Sequence, residues 1–295
     1  MRRSPGVSDA SANPAEGSPA QAAPRAGESW GDFAWFVAKL ALAALAFRVF
    51  LFSPFSIPSE SMLPRLMIGD YLVAAKWPYG YSRHSFPFGA PLVPGRVLAD
   101  QPERGDVVIF KHPVDGSDYI KRAMGLPGDT VEMRGGVFVL NGAAVPKQRI
   151  ADFVQPVDPN LIAAARAARR TAPCAWGGIE EASPAGGRQC RYARYRETLP
   201  GGRSYDVLDF GPMPQDNWGP KVVPDGMLFV MGDNRDNSQD SRFPAEPRRG
   251  VGWVPQANLV GRASGLMWST DGGAEWAKPW TWFTAARWQR IGDGL

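Results

Sequence analysis

The segment Phe33–Phe52, FAWFVAKLALAALAFRVFLF, constrains this chain more than any other feature: eighteen of its twenty residues are apolar. As a helix rising 1.5 Å per residue it spans about 30 Å, the thickness of a bilayer's hydrocarbon layer. Its two charges, Lys39 and Arg48, are nine residues apart, far enough on a helix to snorkel toward opposite membrane faces. Ser53-Pro54 predicts the helix end, because proline disfavours helical backbone at the residue before it. The reading adopted is a membrane anchor. A buried helix of a soluble domain is the alternative that the two charges keep open. A cleavable signal peptide is a second, though it would need a far shorter charged leader than this one. Arg2, Arg3 and Arg25 are matched by Asp9, Glu16 and Glu28, so flanking charge does not orient the segment.

Residues 1–29 are Ala, Pro, Ser and Gly with few large apolar side chains, which predicts a disordered tail. Beyond the anchor, the 33 Gly and 28 Pro of the chain argue against a helical bundle and for short strands joined by turns. Asp70–Ala75, Asp106–Phe110, Thr130–Met133, Gly136–Leu140, Met227–Met231 and Leu259–Gly261 read as strands. Leu140-Asn141-Gly142 carries a hairpin-turn signal. Residues 146–204 interrupt this rhythm. Within 160–203 lie eight Arg against Glu180, Glu181 and Glu197, a local charge of +5 that exceeds the +4 of the whole chain. The basic balance is therefore a property of one segment and weak grounds for a nucleic-acid partner. That face reads as solvated, with anionic lipid as the other reading. The expected division is a tail (1–29), an anchor (30–53), a β domain in two parts (54–145 and 205–267), an insertion (146–204) and a Trp-rich segment (268–295). The last holds five Trp, which suits either a membrane interface or a packing flap.

Two Cys and two His leave little for metal chemistry, and no metal or small-molecule cofactor is expected. No H-E-x-x-H, Walker loop, G-x-G-x-x-G or S-x-x-K occurs. His84 and His112 sit in no informative motif and read as solvated. Three polar segments remain. Pro58-Ser-Glu-Ser-Met-Leu-Pro64 puts hydroxyls between conformation-fixing prolines, or is a Ser-rich linker. Asp118–Asp129 carries Lys121; in a strand Tyr119 and Lys121 share one face, while Ile120 and Arg122 take the other. A lysine on a buried face loses its charge readily and becomes a competent base, whereas an edge-strand lysine merely guards against aggregation. Met231–Arg242 alternates Asp, Asn, Ser and Arg after an apolar strand, a pattern suited to a fixed hydrogen-bond network or to a solvated loop.

An apolar anchor followed by P-S-x-S-M-x-P, G-D-Y-L, R-G-D-V-V-x-F, D-Y-I-K-R-x-x-G-L-P-G-D and G-D-N-R-D-N-S-x-D-S-R closely resembles the bacterial type I signal peptidase (leader peptidase) family. The matching blocks keep the family's order and cover about 57–142 and 226–265. The resemblance implies a mainly β, antiparallel-sheet signal-peptidase fold with an inserted subdomain, preceded by a single transmembrane helix. It implies a membrane-anchored serine endopeptidase with a Ser/Lys dyad that cleaves signal peptides after small residues at −1 and −3. Its partners would be secretory pre-proteins and the lipid bilayer, with no nucleic acid. Its place would be the cytoplasmic membrane, with the catalytic domain on the outer, periplasmic face.

Carried over by residue, the resemblance makes Ser61 the nucleophile and Lys121 the general base. Ser59 and the Ser61 N–H would form the oxyanion hole, and Ser238 would orient the lysine amine. Ile57, Pro58, Met62, Leu66, Tyr119 and Ile120 would line the substrate pockets. Arg122, Asp233, Asp240 and Arg242 would form a supporting ion-pair framework. Glu60 departs from the glycine common in the family and sets a carboxylate beside the oxyanion site. Because the family exposes this region to an oxidising compartment, Cys174 and Cys190 are expected to form a disulfide. A self-cleaving repressor-type Ser/Lys peptidase would need a DNA-binding unit where residues 1–57 offer a tail and an anchor. A non-catalytic anchored β module binding an acidic partner through the Arg-rich insertion would leave the three polar blocks without a role.

Overall fold

The computed structural model describes residues 30–86, 89–90, 92–174, 177–184, 186–275 and 277–295. The expected tail, 1–29, and Trp276 lie outside the described residues. The apolar segment is helical from Trp30 to Ala46 and continues as one π-helical stretch, Phe47–Leu51. No residue of Trp30–Ala46 is buried. A core helix hides an apolar stripe, and none is hidden within this helix, which suits the membrane anchor. Trp30–Leu51 is long and apolar enough to cross a membrane. The helix ends just before Ser53-Pro54, and the proline instead sits in the strand Phe52–Ser56.

Residues 44–295 form one compact unit built on a seven-stranded antiparallel sheet. Its spatial order is Phe52–Ser56, Asp70–Ala75, Leu259–Ser269, Val107–Lys111, Asp118–Gly125, Met227–Met231 and Val254–Pro255. The Pro54 strand lies on the sheet edge, where a missing N–H breaks no ladder. The strand pairing Val108↔Lys121 and Ile109↔Ile120 fixes which face the lysine occupies. A second sheet pairs Trp218–Val222, Thr130–Arg134, Val137–Leu140 and Ala143–Ala144. Its last hairpin turns at Asn141 (φ 53°) and Gly142 (φ 81°), the left-handed pair that an Asn-Gly turn favours. Apolar faces of both sheets meet in a core containing Met124, Val131, Phe138 and Phe229. Another core, with Ile57, Met62, Leu66 and Leu72, lies beside the Ser61 turn.

A third sheet joins Lys147–Pro156, Arg188–Thr198, Ile179–Ala182 and Ser204–Leu208. The helix Pro159–Ala167, capped by Asp158, precedes the disulfide between Cys174 and Cys190. That disulfide shares one core with Leu63 and Met67, so the insertion packs onto the turn that follows Ser61. The arginines are not a uniformly solvated face. Arg188 pairs with Glu180, Arg191 with Glu181 and Asp152, Arg194 and Arg196 with Asp206, and Arg203 with Glu103 and Asp106. Several of these acids fall outside 160–203, which is why a local charge sum overstated the patch. The C-terminal segment is tied to the main sheet yet leaves large aromatic side chains exposed. Arg290 makes a two-point contact with buried Asp70, at 2.6 and 3.1 Å, while Trp280 and Phe283 stand 65% and 64% exposed.

Candidate active site

Ser61 sits in the turn after the strand Phe52–Ser56, and Lys121 in the strand Asp118–Gly125. Lys121 Nζ and Ser61 Oγ are 2.7 Å apart, and Nζ also donates to the Ile120 carbonyl at 3.0 Å. Both side chains are nearly sealed, at 4% and 8% exposure. Burial lowers the lysine's pKa to about 8, against the opposing pull of the Asp240 and Asp233 carboxylates. At pH 7 about a tenth of such a lysine is neutral, against fewer than one in a thousand in water. The Tyr119 ring centroid lies 5.7 Å from Nζ and covers one side of the amine.

The turn is pinned from behind. Asn234 N–H donates to the Ser61 carbonyl at 3.1 Å, and the Asn234 side chain donates to the Glu60 carbonyl at 3.2 Å. The Ser61 N–H has no protein acceptor among the described residues; a donor held free beside a nucleophile suits a developing oxyanion. Ser59 Oγ lies 3.4 Å from Ser61 Oγ. Ser61, Ser59, Lys121, Ile57, Pro58 and Tyr119 all line one cleft of about 1010 Å³, which Ile120 borders as well.

The structure departs from the sequence reading at several side chains. Met62 and Leu66 are fully buried in the core beside the turn, because a turn this tight needs apolar anchors, so they do not reach the cleft wall. Ser238 Oγ is buried but has no hydrogen-bond partner among the described residues, while the amine's second contact is the Ile120 carbonyl. The expected ion-pair framework is two separate pairs. Arg122 grips Asp233 at 2.7 and 2.6 Å, and Arg242 grips Asp240 at 2.9 Å through two nitrogens. A third buried pair was missed: Arg235 binds Glu197 at 2.7 and 2.6 Å, and Tyr205 donates to the same carboxylate. His112 is not solvated. It is 1% exposed, its Nδ1 accepts from the Val114 and Asp115 N–H groups, and its Nε2 faces the Gly250 carbonyl. It is a turn-forming residue on that evidence, while His84 is half-buried, its pKa held down to about 4, mainly by burial.

Gly232 was also overlooked. A Cβ there would fall 2.3 Å from Ser238 Oγ and 2.5 Å from the Ser61 carbonyl oxygen, so only glycine lets the polar loop approach the Ser61 turn this closely. The G-D-N motif contained the signal, but nothing in the sequence says which backbone the glycine faces.

The chain is similar to known proteins over most of its length. Residues 30–268 match the family described as signal peptidase, peptidase S26. A signal peptidase I of Rickettsia typhi is 32% identical over 249 residues, covering 81% of this chain and 80% of that protein. One from Rickettsia rickettsii is 31% identical over 253 residues, covering 82% and 80%. A crystal structure of a signal peptidase I from Enterococcus faecalis V583 is 25% identical, covers 56% of this chain and 98% of its own, and has a TM-score of 0.28. With a family match across most of its length and relatives nearly a third identical, the chain belongs to the signal peptidase family, peptidase S26.

Proposed function

We propose that this protein is a membrane-anchored serine endopeptidase that removes signal peptides from secretory pre-proteins, with Ser61 as nucleophile and Lys121 as general base. The observation that carries the reading is the 2.7 Å contact between a buried lysine amine and a serine hydroxyl at the edge of a cleft. Neutral Lys121 takes the Ser61 proton as Oγ attacks the scissile carbonyl. The Ser61 N–H and Ser59 Oγ donate to the oxyanion, each worth about 3 kcal/mol in comparable sites. The lysine ammonium then protonates the leaving amine, and the neutral lysine activates the water that releases the acyl-enzyme.

Met62 and Leu66 fill the space beside the nucleophile. Cleavage after small residues at −1 and −3 is the specificity that the family match suggests. The disulfide supports a catalytic unit facing an oxidising compartment, the outer side of the cytoplasmic membrane. An anchor at the membrane raises the effective concentration of a substrate tethered there. The test is cleavage of a secretory precursor by the full-length protein in detergent. Wild type should make one defined cut, and Ser61→Ala and Lys121→Ala should lose it. Undiminished cutting by either variant would overturn the mechanism.

A further inference from the structure

Glu60 places a carboxylate next to the nucleophile, and it is 7% exposed. Its Oε2 lies 2.9 Å from Nη2 of Arg170 as an ion pair, while Glu60 Oε1 and the Arg170 Nε and Nη2 make no hydrogen bond among the described residues. Burial pushes the Glu60 carboxyl above the usual carboxylate range, and Arg170 pulls it back. Arg170 comes from the insertion, 110 residues further along the chain. It is held there by three devices. Arg169 adopts a left-handed backbone (φ 54°), and the Arg170 N–H closes back on the Ala165 carbonyl at 2.8 Å, a helix end that turns the chain sharply. Arg170 Nη1 donates to the Cys174 carbonyl at 3.4 Å. Cys174 is tied to Cys190, within the core that includes Leu63.

A buried negative charge on the residue just before Ser61, whose N–H has no acceptor among the described residues, opposes the oxyanion proposed to form there, and poor screening strengthens that opposition. A guanidinium on the same carboxylate cancels it. We propose that Arg170 is a positioning residue of the peptidase: from the insertion it neutralises Glu60, so that the Ser61 turn keeps its shape and the oxyanion site stays free of net negative charge. This rests on Ser61 being the nucleophile, and it gives the insertion a part in the reaction.

The experiment is a double-mutant cycle on the full-length protein in detergent, reading kcat and KM for precursor cleavage together with thermal unfolding. Arg170→Ala should lower kcat by about tenfold or more while KM moves less than about threefold. Arg170→Lys, which keeps the charge, should recover most of the loss. In a Glu60→Gln background, where no charge needs cancelling, Arg170→Ala should cost less than about twofold. Wild-type kcat in Arg170→Ala, or the same loss in both backgrounds, would overturn the proposal. If Arg170→Ala does not fold, the Glu60→Gln/Arg170→Ala pair decides: a folded, active protein supports the proposal, and an unfolded one makes Arg170 purely structural. Ser61→Ala in the same series separates the two readings, because cutting by that variant sinks the Ser/Lys mechanism itself and leaves any coupling between Glu60 and Arg170 without its proposed cause.

Discussion

At the scale of single residues, the proposed chemistry turns on how far the protein can discharge Lys121. With its pKa held at about 8 by burial, the fraction of neutral amine rises tenfold per pH unit below that value. The kcat/KM for precursor cleavage is therefore expected to climb with pH and level off near 8; a flat profile from pH 6 to 9 would contradict the role given to Lys121. The same burial costs stability. A lysine whose folded pKa lies below its unfolded value binds fewer protons when folded, so its penalty is complete below about pH 8 and fades as pH rises toward the unfolded value of about 10.4. Lys121→Met should accordingly be inactive yet raise Tm at pH 6–7, with the advantage shrinking above pH 8. Ser61 and Lys121, which the fold brings to 2.7 Å of each other, were legible as candidates because their motifs sit on local runs of sequence. Arg170 and Gly232 were not, since each matters through a partner far away in the chain, and one sequence carries no record of such pairings. His112 misled for a related reason: the two N–H groups it accepts belong to a turn whose shape the residue types do not announce.

At the scale of elements, the short strands were legible from β-branched and aromatic runs between Gly and Pro, and their bounds fall within a residue or two. The strand Leu259–Ser269 was cut short, since its Gly261 and Gly265 look like turns but let the backbone pack closely on neighbours; a Cβ at Gly261 would lie 2.5 Å from the Ala75 carbonyl oxygen. The insertion was the poorest reading, because charge counting sees a basic stretch where the structure has cross-strand ion pairs. Those pairs differ sharply in weight. Arg235 and Glu197 are 2% and 1% exposed at their side chains, whereas Arg188 and Glu180 are 57% and 28% exposed. Removing one partner of a buried pair leaves a stranded charge and costs about 3–5 kcal/mol, while an exposed pair is worth about 0–1 kcal/mol. Urea unfolding should therefore show Glu197→Ala strongly destabilised and Glu180→Ala close to wild type. Equal effects would mean that Glu197 does not tie the insertion to the Asp233–Arg242 loop.

At the scale of the whole molecule, the resemblance and the apolar segment together gave the architecture of an anchor and a β unit, but not the order in which the chain fills its main sheet. The strand Leu259–Ser269 comes last in sequence, yet it lies between Asp70–Ala75 and Val107–Lys111. The sheet's middle is thus delivered by the end of the chain. Pairings of such long sequence separation close slowly. While the chain is still emerging, the strand pair that flanks the Ser61 turn and the strand carrying Lys121 belong to two separate halves, each with a raw edge open to other chains. Catalytic competence is then an all-or-none event at the finish of synthesis, and a ribosome or protease that stops short yields no partly working enzyme. Ending the chain at Asn258 should produce a protein that aggregates and is digested rapidly by trypsin, whereas a trimmed edge strand would leave a resistant core. A compact, protease-resistant product of that truncation would show that the two halves can close without their keystone.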